Sequence, residues 1–214
     1  MARYHKIDMD PANTSATRYA SNATGATWTL AQTTPGDSLA RVVTITNDSS
    51  TDHSGKTAVL TGTDADGKDQ TETLSLPGAS ATVTSTKHFL TLTSVVPSAT
   101  IDSDTMDIGI GDDIVSATIP LNRWSSVGAS VGLDVTGTIN LDVQITYDPP
   151  NRPDLFTWTD QSSPKWHNST NIAGATADDS NAVMDVGIEA VRIQINSYTD
   201  SAELQAWITQ ADNK

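Results

Sequence analysis

The sequence predicts an all-β protein built as two tandem β-sandwich domains, and three observations carry that reading. Residues 138–147 alternate strictly, with Ile139, Leu141, Val143 and Ile145 on one side of the chain and Asn140, Asp142, Gln144 and Thr146 on the other. A strand turns successive side chains to opposite faces, so one face enters a core and the other meets water or a partner. The same alternation returns at Val191, Ile193 and Ile195 and again at Ala202, Leu204, Ala206 and Ile208, where a helix would need apolar residues three or four apart. Turn signals also recur at roughly ten-residue intervals between residues 28 and 113, as the short strands of a sandwich require.

Taken in order, residues 1–27 are polar, without sustained periodicity, and read as an extended N-terminal arm lying on a neighbouring subunit, with Tyr4 and Tyr19 as its candidate contact residues. Residues 28–113 read as an immunoglobulin-like sandwich. Its strands are expected over residues 41–46, 57–63, 70–76, 83–86, 89–96 and 105–111. Asp66-Gly67 between two β-type runs is a hairpin signal, because glycine accepts a positive φ and aspartate tolerates it, and Pro77-Gly78 closes the next strand. Residues 114–214 read as a jelly-roll-like sandwich with two long connections. One is the stiff run Asp148-Pro149-Pro150-Asn151-Arg152-Pro153, since prolines do not sit inside a central strand, and the other spans residues 161–180.

Composition narrows the function. Hydrophobic residues are 36% of the 214 and charged residues only 18%, the balance being largely Thr, Ser, Asn, Gly and Ala, which suits strands and turns better than a disordered chain. The net charge of −14 repels a phosphate backbone, so direct nucleic-acid binding is not expected. There is no cysteine, hence no disulfide or thiol chemistry. The N-terminal MARYHKIDMDPANTS has no apolar core of a secretion signal, and no apolar run is long enough to span a membrane, so the expectation is synthesis in the cytoplasm and no membrane partner.

The search for chemistry finds none, and the chain is expected not to be an enzyme and to use no cofactor. Asp64, Asp66 and Asp69 suggest a calcium loop, but an EF-hand needs glycine at its sixth position and glutamate at its twelfth, where this chain has Asp69 and Ser75. A hairpin turn is the preferred reading over a weak surface calcium site. The stretch Asp102, Asp104, Asp107, Asp112 and Asp113 reads as a solvated face, with calcium at a domain junction as the alternative. His5, His53, His88 and His167 lack metal-ligand or catalytic spacing, and no nucleophile motif or phosphate loop occurs.

The aromatic residues are more informative. Trp158, Trp166 and Trp207 lie in the second half with Tyr147 and Phe156. They serve either as core and rim packing or as an exposed platform for a sugar ring or a neighbouring subunit. Trp207 has the opposite parity to Leu204, Ala206 and Ile208, which makes it the best candidate for an interface anchor.

Two blocks of sequence carry a resemblance. GTDADGKDQTETLSLPG, then TVTSTKHFLTLTSV and DIGIG, followed by VTGTINLDVQITYD, WTD and GIEAVRIQINSYTDSAELQAWITQ, resemble the wording of structural proteins encoded by tailed bacteriophages, across most of residues 38–210. The polar N-terminus and the proline-rich run at 148–153 depart from that pattern. The resemblance implies a virion component without catalytic residues. It would be a homo-oligomer on the outside of the particle, contacting major capsid or tail proteins. Capsid decoration (cement) is the leading expectation. A tail, collar or head-fibre component, or a carbohydrate-binding module that recognises a host surface glycan, is the alternative.

Overall fold

A computed structural model describes residues 2–121, 128–148, 164–170, 172–183 and 187–211. They form fifteen strands and, among the described residues, no helix. In chain order these are β1 (Ala2–Met9), β2 (Ser15–Ala23), β3 (Ala40–Asn47), β4 (Thr57–Thr63), β5 (Asp69–Ser75), β6 (Thr82–Phe89), β7 (Thr91–Pro97), β8 (Met106–Val115), β9 (Ile119–Pro120), β10 (Ala129–Thr136), β11 (Ile139–Thr146), β12 (His167–Asn168), β13 (Asp179–Val183), β14 (Ala190–Tyr198) and β15 (Glu203–Ala211). The chain divides into an inserted unit, Ala12–Val115, and a flanking unit made of Met1–Pro11 with Ser116–Lys214.

The inserted unit has one sheet in the order β2-β8-β3-β6 and another in the order β5-β4-β7. Its core is Tyr19, Trp28, Ile45, Leu60, Phe89, Leu92, Met106 and Ile108 with their neighbours. In β4 the alternation places Ala58 and Leu60 inward, both fully buried, while Val59 between them stays exposed. Apolar burial of this kind stabilises by about 25 cal/mol per Å² removed from water.

Two local devices fix this unit. Asp64 Oδ1 accepts the N–H groups of Asp66 and Lys68, both at 2.9 Å, and Gly67 takes a φ of +78° to close the β4–β5 hairpin. The carboxylate suggested for calcium is thus occupied by the turn itself. Along the other edge of β5, Glu72 accepts from the Thr86 N–H at 2.8 Å, the Thr86 hydroxyl at 2.9 Å and the Lys87 N–H at 3.0 Å. Lys87 Nζ returns a bond to the Thr71 carbonyl at 2.8 Å. Exposed edge groups that would otherwise template strand addition are satisfied by side chains instead.

The flanking unit pairs β1-β15-β10-β13 in one sheet and β12-β11-β14, with β9 on β14, in the other. Leu204, Ala206 and Ile208 of β15, Val131 and Leu133 of β10, and Ile139, Leu141 and Val143 of β11 are buried, as are Ile193 and Ile195 of β14.

The arm expected over residues 1–27 is corrected. Residues Ala2 to Met9 form β1, antiparallel to β15 from Ala2↔Ala211 to Met9↔Leu204, and β2 lies on β8. Lys6 and Asp8 lie on the exposed side of β1 while Met9 is buried, so local polarity disguised a half-buried strand. The division of the chain accordingly differs from an arm followed by two consecutive domains, because residues 1–11 belong with the C-terminal half.

Candidate interaction surfaces

The outward face of the β1-β15-β10 sheet is set by pairing parity. Trp207 lies opposite Lys6 on β1 and Gly132 on β10, and Tyr4 lies opposite Thr209, two residues further along. Same-face diagonal neighbours of this kind are about 7–8 Å apart, within reach of aromatic side chains. A side chain at Gly132 would lie 4.0 Å from the Trp207 ring, so the absence of one leaves the indole a flat seat. Trp207 remains partly exposed and Tyr4 is 58% exposed, although large apolar rings are ordinarily covered. Lys6 and Asp8 close one side through an ion pair at 2.8 Å.

Of the five residues singled out by sequence, the structure therefore joins Tyr4 and Trp207. Tyr19 is corrected: it is fully buried in the core of the inserted unit, and burial pushes its phenol pKa far above the ordinary range, with Asp37 nearby adding to the effect. Trp158 lies outside the described residues. Trp166 stands apart from Trp207, on the other sheet of the flanking unit.

On that second sheet the polar residues of β11 and β14 form a connected ladder. Gln144 Nε2 donates to Gln194 Oε1 at 2.6 Å and to Asn168 Oδ1 at 3.1 Å, while Arg192 Nε donates to Gln144 Oε1 at 2.7 Å. Asn196 Nδ2 donates to Asp142 Oδ2 at 2.9 Å and to Asn140 Oδ1 at 3.1 Å. The other oxygen of Asp142 accepts the Gly174 N–H at 2.7 Å. The Arg192 guanidinium lies 4.3 Å from the centroid of the Trp166 ring, a cation–π contact. Sequence parity marked Asn140, Asp142, Gln144, Arg192, Gln194 and Asn196 only as an outward face. Their mutual bonding depends on the β11–β14 register, which parity alone does not supply.

The acidic stretch does not converge. Asp104 bonds His53 Nε2 at 2.9 Å, Asp113 bonds His88 Nε2 at 2.9 Å, and Asp107 accepts the Asn22 N–H at 2.8 Å. Among the described residues no group of three His, Cys, Asp or Glu side chains could hold a metal ion. His53 is buried, with Lys56 Nζ 3.2 Å from its Nδ1, and the hydrogen bond from His53 holds the Asp104 carboxyl below the usual carboxylate range. The His53–Asp104 pair ties two loops together, while Asp113 and Asp107 tie β8 to β6 and to β2. No protein-family model, curated protein or solved structure matches the chain.

Proposed function

We propose that this chain is a structural protein on the outside of a tailed-phage particle, acting as a capsid decoration protein through area buried between subunits and not through catalysis. The observation that carries the reading is the face shared by Tyr4 and Trp207: two accessible aromatic rings on a regular sheet beside Gly132, the composition of an interface anchor. A second accessible apolar pair supports it. Val59 and Val96 lie directly opposite each other on β4 and β7 and are 39% and 54% exposed.

The net charge of −14 favours a place away from packaged DNA. A tail, collar or head-fibre position uses the same faces. We further infer that the inserted unit is a variant of the immunoglobulin-like sandwich. It keeps the four-plus-three division of a constant-type domain, but its last strand, β8, lies beside its first two, β2 and β3, and its fourth, β5, has moved to the other sheet. The flanking unit, with eight strands in two sheets among its described residues, fits a jelly-roll-like description.

Quantitative proteomics and cryo-electron microscopy of the purified particle test the proposal. A copy number matching the capsid lattice is expected, together with loss of particle binding by Trp207→Ala. Absence of the chain from the particle overturns it.

A further inference from the structure

We propose that the outward face of β11 and β14, ending at Trp166, is a binding surface for an oligosaccharide. Sugar hydroxyls donate and accept at once, so they are matched by side chains that present both functions in fixed positions. Here the positions are fixed in advance: Gln144 and Asp142, only 8% and 9% exposed, form a floor whose bonds orient Gln194, Asn168 and Asn196, and Asn196 in turn bonds Asn140. Little side-chain freedom is lost on binding to such a surface.

The rim keeps unused capacity. Asn168 is exposed, and its Oδ1 accepts from Gln144 while its Nδ2 has no partner among the described residues. Asn140 repeats that arrangement, accepting from Asn196 through Oδ1. These amides supply donors, and the bound carboxylate of Asp142 and the amide oxygens supply acceptors.

Trp166 gives the face its apolar element. The ring is partly exposed, with the Arg192 guanidinium 4.3 Å from its centroid. Its indole offers the C–H side of a pyranose an apolar surface to stack on. From Thr146 to Asn140 the strand runs about 20 Å at about 3.3 Å per residue, the reach of a short oligosaccharide. A peptide partner would call for apolar pockets or a free strand edge. The β11 edge is already taken by residues 167–170 and 172–175, with Ser169 N–H on the Val143 carbonyl and Ala175 N–H on the Leu141 carbonyl.

The test uses the full chain on an array of bacterial surface polysaccharides and defined neutral oligosaccharides, followed by titration of the strongest binder. Binding is expected, weakened about tenfold by Trp166→Ala, the scale of one lost aromatic contact. Asn168→Ala, at an exposed position that leaves the fold intact, is expected to weaken it too, and Trp207→Ala to leave it unchanged. Failure of every array member to bind overturns the proposal, as does binding that is insensitive to both Trp166→Ala and Asn168→Ala. The readout needs no particle, so it stands or falls separately from the virion role.

Discussion

Arg41 and Asp37 form an ion pair inside the inserted unit, with Arg41 Nε donating to Asp37 Oδ2 at 2.8 Å and the two side chains 0% and 3% exposed. Both side chains also bond backbone groups. Arg41 Nη2 donates to the Ala12 carbonyl at 2.6 Å and Nη1 to the Gly111 carbonyl at 3.0 Å. Asp37 accepts the N–H groups of Ala12 and Leu39, each at 3.1 Å. The pair therefore grips both polar groups of Ala12, the first residue of the inserted unit.

Removing one partner leaves the other charge buried without compensation. Asp37→Ala is expected to cost about 3–5 kcal/mol in urea unfolding. The double replacement Asp37→Leu with Arg41→Met is expected to cost less than Asp37→Ala alone, because no charge is then stranded. A single-variant cost below about 1 kcal/mol, the range of exposed pairs, would show that water reaches the site.

Gly109 and Gly67 separate two reasons for glycine. A side chain at Gly109 would collide with the Ser15 carbonyl and the Ala16 backbone where β2 crosses β8, and backbone does not give way cheaply. At Gly67 the space is open, and only the φ of +78° resists a side chain. Gly67→Ala should cost about 1–2 kcal/mol, the penalty of a left-handed backbone. Gly109→Ala should cost more, at or beyond the upper end of the about 1–3 kcal/mol of an overpacked core. Equal melting temperatures for the two variants would contradict this ordering.

The two glycines also mark how far the sequence could be read. Gly67 announces itself through its neighbour Asp66 and the β-type runs on either side, all local information. Gly109 is needed because a strand about ninety residues earlier crosses it, as the pairing of Ile108 with Ala20 and of Ile110 with Ser15 shows. The same contrast holds for strands. Residues 57–63 and 139–146 declare themselves by alternation, and the outward position of Trp207 follows from parity with Leu204 and Ala206. β1 does not declare itself, because its partner β15 lies at the other end of the chain and only that pairing reveals Met9 as inward. β10 is broken by Gly132 and Asp134, and its strand character comes from β15 beside it. Polar networks are least legible of all. Nothing within reach of Gln144 in sequence indicates Gln194, Asn168 or Arg192 as its partners.

Acid should loosen the 47–57 loop through Asp104. Its folded-state pKa lies below the usual value near 4, chiefly because His53 donates a hydrogen bond to it. The stabilisation is therefore complete at neutral pH and is lost as pH falls from about 4 through the folded value, where both states become protonated. Asp104→Asn should flatten the dependence of stability on pH below about 4. Asp52, depressed by the Ser54 N–H at 2.8 Å, contributes in the same direction, so the flattening should be partial. Parallel acid-unfolding curves for the two proteins would rule out a role for Asp104.

Tyr19 tests the core from the alkaline side. Its hydroxyl is buried and has no hydrogen-bond partner among the described residues, so the side chain bears a desolvation cost with nothing to offset it. Tyr19→Phe removes the unsatisfied group and keeps the ring, and should be neutral or stabilising by up to about 1–2 kcal/mol at pH 7. The gap should then widen with pH. In the unfolded chain the phenol ionises near pH 10, while burial keeps the folded form protonated well beyond that. The wild type therefore loses stability above about pH 10 at up to about 1.4 kcal/mol per pH unit from this group, and the phenylalanine variant does not. Urea unfolding of both proteins at pH 7, 10 and 11 measures the difference. A gap that stays constant across that range would mean that the hydroxyl titrates normally and is reached by water.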